Sequence, residues 1–214
     1  MKMQMRRRRR TEPEGCCRER KKCETRDAIV RAALGLFGRK GYEGTTADEI
    51  AGEAGVSRRT FFRYFPAKEL VVFPHQAAHL DLFRALLAEG ADTQPPFSRV
   101  RHACLLMARE YMKARGEHLA QQRIIRASPS LIARGEAFDE EWEAAIAGVF
   151  AANRGPPEAS RRARFLAGAI MGVIRAALKE WYDGGCRQDL IRLGDEALAL
   201  VEPGTTRAAQ TERD

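Results

Sequence analysis

The stretch TTADEIAGEAGVSRRTFFRYF, residues Thr45 to Phe65, decides the fold of this chain. Thr46 is followed three residues later by Glu49, and this capping box predicts the start of a short helix. Gly55 suits the left-handed backbone that ends such a helix. Ser57 is then a suitable N-cap for a second helix. The order of helix, tight turn and helix predicts a helix-turn-helix unit.

The second of these helices has one basic face and one apolar face. Phe61 and Phe65 are one helical turn apart and can reach a core together. Small Ala51 opposite Gly55 should let the two helices cross closely, so that the second can protrude into a DNA major groove. We therefore expect DNA-contacting residues on and beside this helix. They are Thr46, Ser57, Arg58, Arg59, Thr60, Phe62, Arg63, Tyr64 and Lys68.

Residues Asp27 to Phe73 resemble the N-terminal domain of TetR-type transcriptional regulators. The matching residues are Ile29, Ala33, Leu36-Phe37, Gly41-Tyr42, the Thr45-Thr46 pair, Ile50-Ala51, Gly55-Val56-Ser57, Arg63-Tyr64-Phe65 and Lys68. The resemblance implies a helical head that binds operator DNA, with Lys68 at a phosphate. Where the family commonly has a tyrosine whose hydroxyl bonds DNA phosphate, this chain has Phe62. Phe62 offers only apolar contact, for instance to a thymine methyl.

Composition limits the class of protein. The 214 residues are 44% hydrophobic, enough for one substantial core or two modest ones. No apolar run approaches the length of a membrane span, and the charged first residues lack the apolar segment of a secretory signal, so we expect a soluble cytoplasmic protein. The cysteines, which are Cys16, Cys17, Cys23, Cys104 and Cys186, have no paired spacing, which argues against a disulfide framework or a zinc site. The first three are either plain exposed thiols or redox or metal sensors.

Positive charge is concentrated at the N-terminus. The formal charge is +8, and residues 1–25 carry ten Lys/Arg against four Glu, a net of +6. Arg6 to Arg10 is a like-charge run with no apolar face, so we expect residues 1–24 to be disordered when free. Two interpretations remain open, an arm that adds phosphate or minor-groove contacts beside the helix-turn-helix, and a solvated extension.

Apolar residues recur at helical spacing along the chain and strand-like alternation is absent, which predicts an all-α protein. A first helix should run from about Thr25 to Lys40, where Gly41 stops it. Later helices are expected over 67–89, 97–115, 117–127, 129–153, 156–183 and 188–202, before a frayed tail over 203–214. The predicted divisions are the arm over 1–24, a DNA-binding domain over 25–65 and a ligand-binding and dimerisation body over 66–202.

The apolar surface of the predicted helix over 156–183 is too broad for a helix that packs on one side only. With the helix over 188–202 it could form a four-helix bundle with a second copy of the chain, which is how TetR-type regulators dimerise. The alternative is a helix buried within one monomer. We favour the dimer because one helix-turn-helix offers few base contacts. The candidate interface residues are Leu166, Ile170, Val173, Ile174, Ala177, Trp181, Leu190, Leu193 and Leu198.

The C-terminal half, from about 121 to 201, also resembles a TetR subgroup whose ligand domains bind acyl-CoA-like molecules. The matching residues are Arg126 to Pro129, Leu131, Glu141 to Ala145, Arg164, Ala167 to Ala177, Trp181 and Asp195 to Leu198. Such a ligand requires an apolar channel and a cationic mouth for phosphates. The candidate walls are Tyr111, Met112, Phe138 and Trp142, although such stripes are usually core, and the candidate cations are Arg123, Arg126 and Arg175.

The sequence contains no recognisable catalytic constellation. His75, His79, His102 and His118 have no acidic or cysteine partners placed for a zinc site, and we expect His75 and His79 to contact helix neighbours or solvent. The candidate serines fit helix caps, so we expect neither an enzyme nor a metal or other cofactor.

The preferred interpretation is a ligand-responsive dimeric repressor that a small molecule releases from a palindromic operator. The alternatives are a constitutive or activating DNA binder without ligand control, and an architectural nucleic-acid binder driven by the arginine arm.

Overall fold

A computed structural model describes the backbone of residues 14–151 and 158–210, and the side chains of residues 20–151 and 161–204. Every regular element in these ranges is helical, which confirms the predicted fold class. The α-helices are α1 (Glu14–Lys40), α2 (Ala47–Glu53), α3 (Arg58–Tyr64), α4 (Gln76–Ala88), α5 (Pro96–Lys113), α6 (Arg115–Arg126), α7 (Pro129–Ala151), α8 (Glu158–Asp183) and α9 (Leu190–Gln210). The chain divides into two compact units between Val72 and Phe73. None of the described helices combines the length and the apolar content needed to cross a membrane.

The first unit is held together by apolar side chains from each of its helices. Ile29 of α1, Ile50 of α2 and Phe61 of α3 are completely buried, and Phe65 just after α3 is 1% exposed. The burial of Phe61 and Phe65 confirms that one face of the second helix of the motif enters the core. α1 packs on α2, and α2 packs on α3. These contacts fix the direction in which the opposite, basic face of α3 points.

The turn of the motif has the predicted geometry but one predicted reason for it is wrong. Thr46 and Glu49 form the capping box that opens α2. Gly55 has φ +67°, the left-handed conformation that glycine adopts without strain. A Cβ atom at Gly55 would meet nothing within 4 Å, so the small size of this residue is not needed for a close helix crossing. Its role is to turn the chain.

α1 starts earlier than the sequence analysis predicted. It begins at Glu14 rather than near Thr25, so the helix includes residues 14–24 of the predicted arm. Arg20 pairs with Glu24 one turn later, and such pairs stabilise a helix without an apolar face. Thr25 donates from Oγ1 to the carbonyl of Lys21 at 2.8 Å, a contact made inside a helix rather than at its start. The run Arg6 to Arg10 lies outside the described residues, and both interpretations of the arm, an added DNA contact and a solvated extension, stay predictions.

The last helix ends later than predicted. α9 continues to Gln210, where the sequence analysis expected a frayed tail after residue 202. Pro203 lies inside this helix. A proline inside a helix removes one backbone hydrogen bond and introduces a kink, which does not have to end the helix.

The helix predicted over 67–89 is interrupted. A 3₁₀ turn spans Lys68–Val71, and α4 begins only at Gln76, with His75 at its N-cap position rather than inside the helix. Pro74 explains the interruption, because proline lacks a backbone N–H and disfavours the helical conformation of the residue before it.

The second unit has a large apolar core and a smaller one. The larger core includes Phe83 of α4, Val100 of α5, Ile146 of α7 and Ile170 of α8, each no more than 1% exposed. The smaller core surrounds Trp181, whose Nε1 donates to the carbonyl of Gln188 at 3.1 Å.

Most of the predicted dimer-interface residues lie in or against these two cores, and their contact with a second copy stays a prediction. Buried within the single chain are Ile170, Ala177, Trp181, Leu190 and Leu198. Partly buried against the same cores are Leu166, Val173, Ile174 and Leu193. The large apolar side chains that α8 and α9 leave exposed are Phe165, at 70%, and Leu200, at 78%. Helical spacing identified apolar stripes but could not show which stripe faces the core.

Candidate nucleic-acid interface and ligand-binding body

The start of α3 is fixed by its N-cap. The Ser57 Oγ atom accepts from the backbone N–H of Thr60 at 3.1 Å, and the two hydroxyl oxygens are 3.0 Å apart. Both hydroxyl groups therefore already make hydrogen bonds at the start of α3 in the absence of DNA. Arg58, Arg59 and Arg63 are exposed on the same helix. The three predicted cations are therefore all exposed on a helix whose Phe61 side chain is fully buried.

Arg58 contacts both α2 and an aromatic ring of its own helix. Its Nη1 atom donates to Oδ2 of Asp48 on α2, and the two side chains are 65% and 59% exposed. Its guanidinium also lies 5.2 Å from the centroid of the Phe62 ring. Phe62 in turn meets the ring of Phe61 edge-on at 5.2 Å. Asp48 could not be identified from the sequence, because no helical spacing relates it to Arg58.

The remaining charges of α2 face α1. Lys40 donates to Glu49, and Arg39 pairs with Glu53 at 3.1 Å. The hydrogen bond from Lys40, together with those from the backbone and side chain of Thr46, lowers the pKa of Glu49 to about 2. Glu49 is therefore ionised at neutral pH and holds both Lys40 and the N-cap of α2.

Two predicted phosphate contacts, Lys68 and Tyr64, already make contacts inside the first unit. The Nζ atom of Lys68 donates to the carbonyls of Tyr42 and Thr45, both at 2.9 Å, and lies 4.0 Å from the centroid of the Tyr42 ring. Tyr64 is half-buried, with the Arg63 guanidinium 5.3 Å from its ring centroid. Lys68 therefore fastens the loop between α1 and α2, and its contact with phosphate stays a prediction.

A groove of about 640 Å³ lies between α7 and α8 in the second unit. It is lined by Glu136, Asp139, Glu140, Glu143, Ala144, Ala147, Arg164 and Arg175. Four carboxyl groups thus face two guanidinium groups, and burial raises the pKa of Asp139 while Arg175, 3.7 Å away, opposes that shift.

The predicted cationic mouth is not found at this groove. Only Arg175 of its candidate cations lines the groove, and that residue faces Asp139. Arg126 pairs with Asp183 at 2.6 Å, and Arg123 is exposed. The charge of this groove depends on which helix faces meet, and α7 contributes its acidic face. A contact of the three arginines with ligand phosphates stays a prediction.

None of the predicted pocket walls lines this groove, and Tyr111, Met112 and Trp142 pack against the cores. The Trp142 ring lies 4.6 Å from that of Phe83, and the Phe138 ring lies 5.1 Å from that of Phe73. Tyr111 packs against both cores, and Met112 packs against the smaller one. A ligand that used Tyr111, Met112 and Trp142 as walls would have to replace contacts that these residues make with the cores.

An aromatic cluster joins α4, α5 and α6, where the sequence analysis expected only local or solvent contacts. The Tyr111 and His118 rings are stacked 4.3 Å apart with 4° between their planes. His79 lies 5.5 Å from Tyr111 and 6.4 Å from His118, and His75 lies 5.7 Å from His79. Burial, reinforced by His79 and His75, lowers the pKa of His118 to about 4, so His118 is neutral at pH 7. Among the residues that the structure describes, no three potential ligands are placed for a metal ion.

The exposed arginines of α3 make a direct test of the interface possible. Replacing Arg59 with alanine should weaken binding to a DNA site selected from a random library by about 1–3 kcal/mol, the value of one base contact. The head should stay folded, because Arg59 is exposed. Fluorescence anisotropy titrations of the wild type and the variant measure the difference.

Arg192→Ala is the matched control, since Arg192 is 79% exposed on α9 in the other unit. It removes the same charge from a different surface. Equal affinities for the two variants would contradict the assignment of α3 as the DNA-contacting helix.

Comparison with known proteins agrees with this architecture. Residues 29–73 match the family described as bacterial regulatory proteins of the tetR family, and residues 94–206 match the family described as the MftR C-terminal domain. The HTH-type transcriptional regulator TcmR of Streptomyces glaucescens is 33% identical over 172 residues, which cover 77% of this chain and 76% of TcmR.

Solved structures show the same fold. The Thermus thermophilus repressor FadR, solved with lauroyl-CoA, is 28% identical with a TM-score of 0.50, over 82% of this chain and 92% of FadR. Bacillus subtilis FadR, solved with stearoyl-CoA, is 19% identical with a TM-score of 0.54, over 81% of this chain and 96% of that protein. The two family matches cover the helix-turn-helix unit and most of the helical body, and together with the likeness to TcmR they show that this chain belongs to the TetR family of DNA-binding transcriptional regulators.

Proposed function

We propose that this protein is a ligand-responsive dimeric repressor. In this proposal the α3 helices of two protomers bind a palindromic operator, and a small molecule bound in the helical body lowers the affinity for that operator. The observation that carries the proposal is the basic surface of α3, where Arg58, Arg59 and Arg63 are exposed on a helix whose other face is buried. Such a surface suits insertion into a major groove.

The short length of α3 supports a dimer. α3 spans Arg58–Tyr64, about two helical turns, and can contact only a few base pairs. A two-fold dimer doubles these contacts when its α3 helices enter successive major grooves, about 34–36 Å apart. Phe165 and Leu200, exposed on α8 and α9, are the apolar residues that a second copy would cover.

An acyl-CoA is the first effector to test. The support is the likeness to Thermus thermophilus FadR, which was solved with lauroyl-CoA. The groove between α7 and α8 is lined by more carboxyl than guanidinium groups, so the CoA phosphates are not expected there. The acyl chain needs apolar walls, which Tyr111 and Trp142 could supply only if the core against which they pack opens, while Phe138 packs on Phe73.

Release of DNA requires the ligand to discriminate between two states. A ligand that bound the free and the DNA-bound dimer equally well would release nothing, however tight its binding. Linkage also makes the effect reciprocal, because the factor by which the ligand weakens DNA binding equals the factor by which DNA weakens ligand binding.

The experiment begins with selection of DNA sites from a random library by the full chain, followed by footprinting. A short palindromic footprint is expected, whereas diffuse coverage would favour an architectural nucleic-acid binder. The operator complex is then titrated with acyl-CoAs of several chain lengths, with free CoA and the matching fatty acids as controls. Loss of operator affinity with equal, reciprocal loss of acyl-CoA affinity supports the proposal.

Failure of the two parts can be distinguished. If acyl-CoAs neither bind the free protein nor change operator affinity, the acyl-CoA assignment is wrong while the DNA-binding assignment survives. If operator affinity is unaffected by every effector tested, including those that bind, a constitutive regulator is the better description.

A further inference from the structure

We propose that Asp48 is a positioning residue for sequence recognition, which holds the Arg58 guanidinium so that its remaining N–H donors read one base pair. This inference rests on the proposed function only in requiring that the protein selects a DNA sequence. It assigns to a carboxylate on α2 a role in the specificity of α3.

The ion pair between Arg58 and Asp48 supports this proposal. Nη1 of Arg58 donates to Oδ2 of Asp48, from the first residue of α3 to the first turn of α2. A guanidinium has five N–H donors, so this bond leaves others free for a guanine edge. Both side chains are more than half exposed. Their orientation in the free protein therefore depends on their mutual contact and on the contact of Arg58 with the Phe62 ring.

Arg58 also contacts an aromatic ring. The Arg58 guanidinium lies over Phe62, which is one helical turn further along α3. Phe62 packs edge-on against Phe61 with 88° between the ring planes, and Phe61 is fully buried. Arg58 is thus held between a carboxylate and a ring that is itself anchored on the core.

The other cations of α3 are held differently. Arg63 lies over the ring of Tyr64 and has no carboxylate partner within the described part of the chain. Arg59 has neither a carboxylate nor a ring partner there. A long side chain loses rotamer freedom when it binds a base, and Arg58 has already lost part of that freedom in the free protein. Arg58 is therefore the cation of α3 best prepared for a directional contact.

A carboxylate at position 48 lowers the general affinity for DNA, and two different roles are compatible with that effect. Asp48 lies beside a helix end that approaches phosphates, so its charge repels DNA of every sequence. A residue that lowers general affinity yet orients a base-reading arginine raises the ratio of specific to non-specific binding. The competing role is a simple block, in which Asp48 only neutralises Arg58 until DNA displaces it.

The experiment compares Asp48→Asn with Glu53→Gln, each of which removes one carboxylate charge from α2. Glu53 is the matched control because it pairs with Arg39 of α1 and not with α3. Site selection from a random library, followed by titrations on every single-base variant of the selected half-site, gives a preference profile for each protein. We expect Asp48→Asn to reduce discrimination about tenfold at one base pair of each half-site and to raise the affinity for scrambled DNA. Glu53→Gln should leave the discrimination at that base pair unchanged.

A double-substitution test identifies the partner. Arg58→Ala should relax the preference at the same base pair, and adding Asp48→Asn to it should relax that preference no further. The single Phe62→Leu variant, which keeps an apolar side chain but loses the ring face, should relax it in the same direction. Thermal unfolding of each variant checks that the head remains folded.

Three results would overturn the inference. One is a preference profile of Asp48→Asn identical to that of the wild type, with or without a uniform rise in affinity, which would make Asp48 a block. Another is additive loss in the double variant. The last is failure of the wild-type protein to select any site, which would also overturn the proposed function, whereas the first two leave that function intact.

Discussion

Replacing Leu200 with glutamate should convert the protein to a monomer and lower its affinity for a palindromic site by about a hundredfold. Leu200 is 78% exposed on α9, and Phe165 is 70% exposed on α8. A two-fold axis would bring the new charge into the interface twice, and burying unpaired charge is costly. Loss of the dimer then leaves each α3 to bind a half-site alone. Sedimentation equilibrium and titrations of the selected operator measure the two effects.

Leu82→Glu is the control for this substitution. Leu82 is 41% exposed on α4, so the variant adds the same charge at an apolar position of another helix. Circular dichroism should show the same helix content in both variants. If Leu200→Glu remains a dimer at micromolar concentration, the α8 and α9 surface around Leu200 is not the interface.

His118 should make the protein less stable in acid. Its pKa is about 4 in the fold, where burial is the main cause, against about 6.5 in the unfolded chain. Well above pH 6.5 both states leave it neutral. Below pH 6.5 the unfolded chain takes up a proton that the folded protein refuses, so stability falls as the pH falls. Between about pH 7.5 and about pH 5 this residue alone should cost about 2 kcal/mol of the free energy of unfolding.

His118→Phe keeps a ring against Tyr111 and removes the titrating group. We expect urea denaturation of this variant to lose that share of the pH dependence and to keep the share due to His79, whose pKa is also lowered by burial. His102→Phe is the control, since His102 is exposed on α5. A His118→Phe variant with the full pH dependence of the wild type would contradict the assignment.

The helix-turn-helix unit could be predicted because the sequence features that identify it act locally. The capping box at Thr46, the left-handed Gly55 and the N-cap Ser57 all lie within a few residues of the backbone groups that they satisfy. The pairing of Asp48 with Arg58 could not be predicted in the same way. It joins two helices across a turn, and no periodicity relates such residues.

The body was harder to predict because its important contacts are tertiary. Helical spacing showed that α8 is apolar around much of its surface, but Ile170 and Trp181 proved to be core while Phe165 stays exposed. The stacking of His118 on Tyr111 depends on how α5 meets α6. The acidity of the groove between α7 and α8 likewise depends on which faces meet, and composition averages over all faces.

The contacts of Lys68 have a consequence for exchanging lysine and arginine at this position. A compact ammonium group can point separate N–H bonds at two carbonyls, and Lys68 does so with those of Tyr42 and Thr45 while resting on the Tyr42 ring. A guanidinium is larger and planar, with its donors in a fixed fork. Arginine at position 68 would preserve the charge and still lose the fastening of the loop, so the shape of the cation matters here as much as its sign.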